Sequence, residues 1–299
     1  MAVGALNLSY VIGNTNGTGW RGLDILDKII AQDPTDRPVF ELTGMSRATM
    51  VLHQWQTRAL RARAVSAVLE GANFTQTSVQ GPTRQTNTCM ISTEGVEVSN
   101  TAMQEHYWGA SDIWRDQINY KSKLHGLDIE YALINSTLTT GATNAARRMM
   151  GLREWCTSTQ ASVNVLTQNG ATLTETIFIQ GIETGWTQGA MFDTALIPSK
   201  QQKIIDTFNG QGQTKWTEAR TREIVNQILV YHSSFGSIAC HLCRDLSNSS
   251  TTGEIILMDK SLVNKAWFRT TQLYPVAQTA DGKQASMVSE LTLEVLNPE

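Results

Sequence analysis

The spacing best suited to metal or redox chemistry is Cys240-His241-Leu242-Cys243, a C-x-x-C with a histidine inside it. A structural zinc needs four converging ligands, and no second C-x-x-C or H-x-x-x-H follows. Ser237 to Cys243 alternates like a strand, which sends Cys240 and Cys243 to opposite faces, so both read as packed thiols. The histidines His53, His106, His125, His232 and His241 are scattered, with no Ser, Cys or Glu spaced for a triad or a metal pair. His106 and His125 lie about five helical turns apart and cannot share a ligand within one subunit. Asp24, Asp27, Asp33 and Asp36 fit solvated helix and turn positions. The glycines Gly13, Gly17 and Gly19 lack the Lys-Ser/Thr ending of a phosphate loop, and no G-x-S-x-G, H-E-x-x-H or G-x-G-x-x-G occurs. Arg58, Arg61, Arg63 and Arg84 carry no interleaved aromatics for base stacking. Their forks suit carboxylates across a protein interface. No catalytic residue, metal or cofactor is expected.

The elements that must position these residues are dominated by one stretch. From Thr101 to Asn135 there is no proline, and apolar residues recur at Tyr107, Trp108, Ile113, Trp114, Ile118, Leu124, Leu127, Tyr131 and Ile134. That spacing predicts a long helix with a single apolar stripe. Thr101 and Gln104 form a capping-box pattern at its start, and Arg115, Asp116, Lys121, Lys123, Asp128 and Glu130 populate the other faces. Before it, Ala48–Leu60 and Thr83–Ser99 are polar, β-branched, alternating segments that predict two long strands. Such a hairpin buries no core alone, so it packs on its own domain or lies on another subunit.

Residues 1–20 are rich in Gly, Asn and Thr and read as an extended arm. Leu23–Ile30 is a short amphipathic helix, ended by Asp33-Pro34-Thr35-Asp36-Arg37-Pro38. Thr139–Thr143 reads as a flexible link. Helices are expected over Thr172–Trp186 and from Pro198 to Phe208, with strands over Met191–Ile197, Ile228–His232, Ser237–Leu242 and Glu254–Asp259. This alternation from about 155 to 262 predicts a compact α/β or α+β domain. Lys265–Tyr274 and Glu290–Asn297 are strand-like, with a tight-turn signal at Asp281-Gly282, and these strands are expected to return onto the long helix.

The chain has 299 residues with 41% hydrophobic and only 17% charged, so much of its surface is expected to be covered by something other than water. A net charge of −3 excludes a global basic field drawn to nucleic acid or anionic membrane. No apolar run is long enough to span a bilayer, and the opening residues are not a secretory signal, so folding in a reducing cytoplasm is expected. Four cysteines are too few for a disulfide framework.

The order of parts resembles the major capsid proteins of tailed bacteriophages. Their shell fold is the Johnson fold, named after phage Hong Kong ninety-seven. The residues that carry the likeness are Asp33 to Phe40, His53 to Thr57 with Ala67 to Ala72, Leu127 to Leu133, Ala145, Arg147, Met150 to Leu152, Ile197 to Lys203, and Ser286 to Asn297. The resemblance implies an α+β fold with an N-terminal arm (1–45), an extended β-hairpin loop (46–99) and a peripheral domain with a spine helix (100–154). An axial domain (155–262) and return strands of the peripheral domain (263–299) complete it. It places Trp55, Arg58, Arg61, Arg63, Glu70 and Arg84 at a subunit interface. Ser247, Asn248, Ser249 and Gly253 fall in an axial loop, and Asp281, Gly282 and Lys283 in a three-fold hairpin.

The function so implied is a non-enzymatic major capsid protein that self-assembles as hexamers and pentamers into an icosahedral or prolate head around double-stranded DNA. Separate scaffold and portal proteins, and accessory decoration proteins, are the expected partners, with no membrane. The site of action is the virion, after assembly in the host cytoplasm. Some relatives weld the shell through a lysine in the extended loop, but no lysine lies between Lys28 and Lys121, so a non-covalent shell is expected. No long helical N-terminal extension is present, so the scaffold is expected to be a separate chain or a very short tail. The alternatives are an encapsulin-like cellular shell, or a cytosolic enzyme with a site assembled from distant residues.

Overall fold

The computed structural model describes residues 33–60, 63–73, 81–106, 111–159, 165–168, 170–208, 230–249, 253–278 and 281–297. The expected helix Leu23–Ile30 and the aromatics Tyr107 and Trp108 lie outside them. The spine is a helix, α3, over Ile113–Asn135, and at 23 residues it is about 35 Å long. It does not run unbroken from Thr101. A separate short helix, α2 (Asn100–Gln104), ends in an extended Glu105. The local caps explain the division. Ser99, not Thr101, caps α2 by accepting from Ala102 N at 3.1 Å, and Asp112 caps α3 by accepting from Arg115 N at 3.2 Å. The buried stripe is also rotated from the expected one. Ile129, Leu133 and Ile134 face the core, whereas Tyr131 points to solvent and Glu130 is fully buried.

Helix α3 lies on a four-stranded sheet in the order β1-β9-β10-β4. Its strands are β1 (Gly44–Arg47), β4 (Met90–Ser99), β9 (Val263–Pro275) and β10 (Gly282–Val295). β1 pairs parallel with β9, and the other contacts are antiparallel. The C-terminal strands thus do return to the spine. β10 begins at Gly282, eight residues before the expected Glu290, because residues 282–291 pair with 90–99. The core between layers joins Ile129, Leu133 and Ile134 to Leu291, Leu293 and Val295. The short helix α1 (Pro38–Leu42) sits beside it with Val39 fully buried.

The stretch Thr83–Ser99 is two strands serving two sheets. β3 (Thr83–Thr88) pairs antiparallel with β2 (Leu52–Thr57), and after Cys89 the chain enters β4. The switch is fixed where Cys89, fully buried, donates its N–H to Val51 O at 2.8 Å. Thr139–Thr143 is no loose link. Bridges pair Thr139 with Arg148 and Ala142 with Ala145, and Gly141 supplies the positive φ of the turn.

The second layer pair holds the sheet β6-β7-β5-β8, built from Thr194–Ile197 (β5), Val230–Ser233 (β6), Gly236–Leu242 (β7) and Ile256–Met258 (β8). Helix α5 (Glu175–Gln188) packs Phe178 and Ile182 against Ala195, Ile197, Tyr231 and Ile238. Helix α4 (Leu152–Glu154) leads into a π-helical turn, and α6 (Ser199–Ile205) follows β5. Cys240 is half-buried on β7, and Cys243, just past its end, is buried and donates its N–H to Ile197 O at 2.9 Å.

Candidate assembly interface

The loop that the sequence singles out is a two-stranded leg with a firm root and an uncovered end. Trp55 forms the root. Its indole donates to Val295 O at 2.9 Å, and its ring lies 5.7 Å from that of Trp155. Beside it Asn87 is buried and fully satisfied. Its amide donates to Met150 O at 3.1 Å and Leu293 O at 2.7 Å, while its oxygen accepts from Met150 N and Thr88 N, each at 2.8 Å. Glu294 accepts from Ser46 Oγ at 2.6 Å and lies 3.6 Å from His53. β2 and β3 therefore leave their own domain from a fixed platform.

Beyond the Thr57–Thr83 pair the described chain forms no helix or strand until the hairpin returns. Leu60 is 94% exposed, Val65 95% and Leu69 87%, values that a subunit alone in water does not sustain cheaply. Arg58, Arg63, Glu70 and Arg84 are exposed as well, and none has an ion-pair partner among the described residues. Arg84 sits on β3 opposite Gln56. Arg61 lies outside the described residues. The five described residues, Trp55, Arg58, Arg63, Glu70 and Arg84, do not converge on one point, with Trp55 rooted and the other four exposed.

The loop that the resemblance places at the axis, Ser247 to Gly253, folds onto the start of α6. Asn248 accepts from Lys200 N at 3.0 Å and donates to Ser199 Oγ at 2.9 Å, and Gln201 donates to Ser249 O at 2.8 Å. Gly253 is required there, since a Cβ would collide with Gln201 and Ser249. Ser247 accepts Glu254 N at 3.4 Å. In the hairpin between β9 and β10, Asp281 accepts from the Asn100 side chain, Gly282 pairs with Ser99, and Lys283 Nζ stands 4.6 Å from the Trp114 ring centre.

His125 is buried on the core face of α3, His53 stands at the loop root, His232 is exposed on β6 and His241 is half-buried on β7. Among the described residues no three His, Cys, Asp or Glu are grouped to hold a metal. No helix among them is long and apolar enough to cross a membrane. Sequence reasoning gave no role to Asn87 and Lys265 and put Glu130 on an outer face of the spine, yet all three are buried and anchor the loop and α1. The one signal for them was an Asn or a lone charge inside an apolar pattern.

A rooted hairpin leg, a spine helix laid over a return sheet, and a second compact domain define the subunit of a protein shell. The capsid of the native GTA particle has this fold, at a TM-score of 0.71 and 10% identity over 97% of this chain and 96% of that one. Gordonia phage Cozz gives 0.63 and 12% over 100% and 94%. The holo-SrpI encapsulin of Synechococcus elongatus PCC 7942 gives a lower 0.57 and 11% over 90% and 89%. No curated protein matches the sequence. The model of the SU10 major capsid protein family matches residues 10–299, and the chain belongs to that family. It is a shell-forming structural protein of the phage head and not an enzyme. The Johnson fold expected from the sequence is the fold observed.

Proposed function

We propose that this chain tiles as hexamers and pentamers into a closed icosahedral or prolate head around double-stranded DNA, each copy laying its loop over a neighbour. The division into arm (1–45), loop (46–99), peripheral domain (100–154 with 263–299) and axial domain (155–262) is part of this reading. So are the axial role of Ser247 to Gly253 and the three-fold role of Asp281 to Lys283. The observation that carries it is the loop itself: Trp55 and Asn87 root it, while Leu60, Val65 and Leu69 stand almost wholly uncovered. A neighbouring copy supplies the cover, and Arg58, Arg61 and Arg63 supply charged forks for its carboxylates. The net charge of −3 suits a wall that does not grip packaged DNA. Assembly takes place in the host cytoplasm with separate scaffold and portal chains, and decoration proteins join the finished shell. The absence of lysine from 29 to 120 supports a shell held without loop isopeptide bonds.

The test is particle formation. The wild-type chain, expressed with its scaffold, gives megadalton particles by light scattering and electron microscopy, which run as monomers on a denaturing gel. Replacing Arg58, Arg61 and Arg63 together by Ala abolishes particles while circular dichroism of the subunit is unchanged. Undiminished particle yield from that variant refutes the interface role of the loop. An encapsulin-like shell is distinguished by enclosed protein cargo in place of nucleic acid.

A further inference from the structure

The return sheet has one edge that nothing in the described chain covers. β1 pairs with β9 only over Asn264–Trp267, and Ala48 N extends this by one bond to Trp267 O at 3.0 Å. From Arg269 to Pro275 every residue is exposed, and on the β1 side their backbone groups have no strand partner among the described residues. The run Thr270-Thr271-Gln272-Leu273-Tyr274-Pro275-Val276 is uncharged. β4, at the opposite edge, carries Glu94, Gly95 and Glu97, the residue types that keep strand edges apart. Beneath the open edge is a groove of about 460 Å³, lined by Leu273 and Pro275 with Met103, Trp114 and Lys283.

The same chain presents a matching strand. Arg63–Leu69 is exposed throughout, belongs to no helix or strand, and has the seven-residue length of Arg269–Pro275. Extended, it puts Val65, Ala67 and Leu69 on one side. Glu70 at its end and Lys283 at the groove both lack an ion-pair partner among the described residues.

The geometry points to strand addition between copies: Arg63–Leu69 of one subunit pairs along Arg269–Pro275 of a second, parallel to it as β1 is. Val65 and Leu69 then lie over the groove, and the turn closed by Ala72 N donating to Leu69 O at 3.0 Å takes the chain off the edge and brings Glu70 round to Lys283. Main-chain bonds supply the attachment, and the alternate apolar side chains with the one ion pair set the register. This inference rests on the reading that the loop covers a neighbour, and it names the surface covered.

Two experiments test it on the full chain co-expressed with its scaffold. Glu70→Lys and Lys283→Glu each lose particles, and the double variant regains them. Both positions are exposed, and unchanged circular dichroism excludes misfolding. Separately, Leu69→Cys with Pro275→Cys, side by side in this register, gives a non-reducing ladder of linked subunits. A ladder from Pro275→Cys alone, to which Leu69→Cys adds nothing, shows the edge meeting a second edge and overturns the assignment of the loop as occupant. A monomer band linked within itself overturns it too. Full particle yield from both charge reversals with no ladder overturns the site. If the triple arginine variant still loses its particles in that case, the loop's neighbour contact survives and only its address is wrong.

Discussion

Glu130 and Lys265 hold opposite ends of one five-residue helix, α1, and both are buried to 2% exposure or less. The Glu130 carboxylate accepts from Val39 N at 2.8 Å and Phe40 N at 2.7 Å. The Lys265 ammonium donates to Thr43 O at 2.8 Å and to Phe40 O, and lies 4.5 Å from the Phe40 ring centre. A helix this short has no cooperative stability of its own. Its free N–H groups meet an anion and its free carbonyls a cation, which stitches the end of the arm to the spine and to β9. Replacing Glu130 by Ala leaves two buried donors unsatisfied and Lys265 uncompensated, so a loss of about 3 kcal/mol is expected, read by thermal melting of the subunit. Lys265→Met is expected to cost a similar amount. The double variant should lose less than the sum, since each change relieves a charge that the other strands.

His125 makes acid stability measurable at the spine. Its ring is hydrogen-bonded to Ser289 and lies 3.4 Å from Ser92 Oγ, and burial lowers its pKa despite the opposing pull of Asp128 and Glu94. The unfolded chain therefore takes up this proton at a higher pH than the folded one. The stability tied to neutral His125 is complete above about pH 6.5 and falls as pH drops below it. Glu130 works the other way: burial raises its pKa, so its contribution is complete at low pH and is lost as pH rises through that raised value. The difference between wild type and His125→Asn isolates the histidine. The gap in melting temperature should narrow steadily from pH 7 to pH 5, and a constant gap contradicts the assignment.

Gly126 within the spine helix and Gly151 packed against its end face different neighbours and predict opposite outcomes. A Cβ on Gly151 would stand 2.8 Å from Ile134 O and 3.0 Å from Ala132 O, backbone atoms at the end of α3 that have no room to move. A Cβ on Gly126 would meet only the end of the Arg37 side chain, which can swing aside. Gly151→Ala should cost about 3 kcal/mol, the upper end for overpacking, and should lower soluble yield. Gly126→Ala should cost well under about 1 kcal/mol, because the better helix propensity of alanine offsets the displaced arginine. Urea melts of the two variants decide it.

What the sequence makes legible here is local. α5 announces itself by Leu173, Ile177, Phe178 and Ile182, and the β9–β10 hairpin by Asp281-Gly282. The break ahead of α3 was signalled by Asp112, but the apolar period through Ile113 and Trp114 continues that of the preceding residues and hides it. The split at Cys89 was not legible, since Thr83–Ser99 alternates without interruption and only pairing with residues 282–291 divides it. Glu130 looked like one more solvated charge between Ile129 and Tyr131. Its burial depends on α1, whose Val39 and Phe40 lie 91 and 90 residues before it, and on Lys265 well beyond it in the chain. The exposure of loop residues such as Arg58 and Glu70 agrees with a polar hairpin that buries no core alone.

Asn87 offers the sharpest separation of folding from assembly. All four of its side-chain hydrogen-bonding positions are used, joining the leg of the loop to Met150 and to Leu293 of β10. Asn87→Asp keeps the shape and both accepted bonds but turns the two donors into an acceptor facing two carbonyl oxygens. The expected cost is about 3 kcal/mol, from repulsion between the new oxygen and the two carbonyls and from desolvating a carboxylate. Because those bonds fix the angle at which β3 leaves the sheet, the damage should exceed the loss of stability. Subunits kept folded at low temperature should still form few particles. Normal particles from Asn87→Asp at reduced melting temperature would mean that Trp55 and the β2–β3 ladder alone aim the loop.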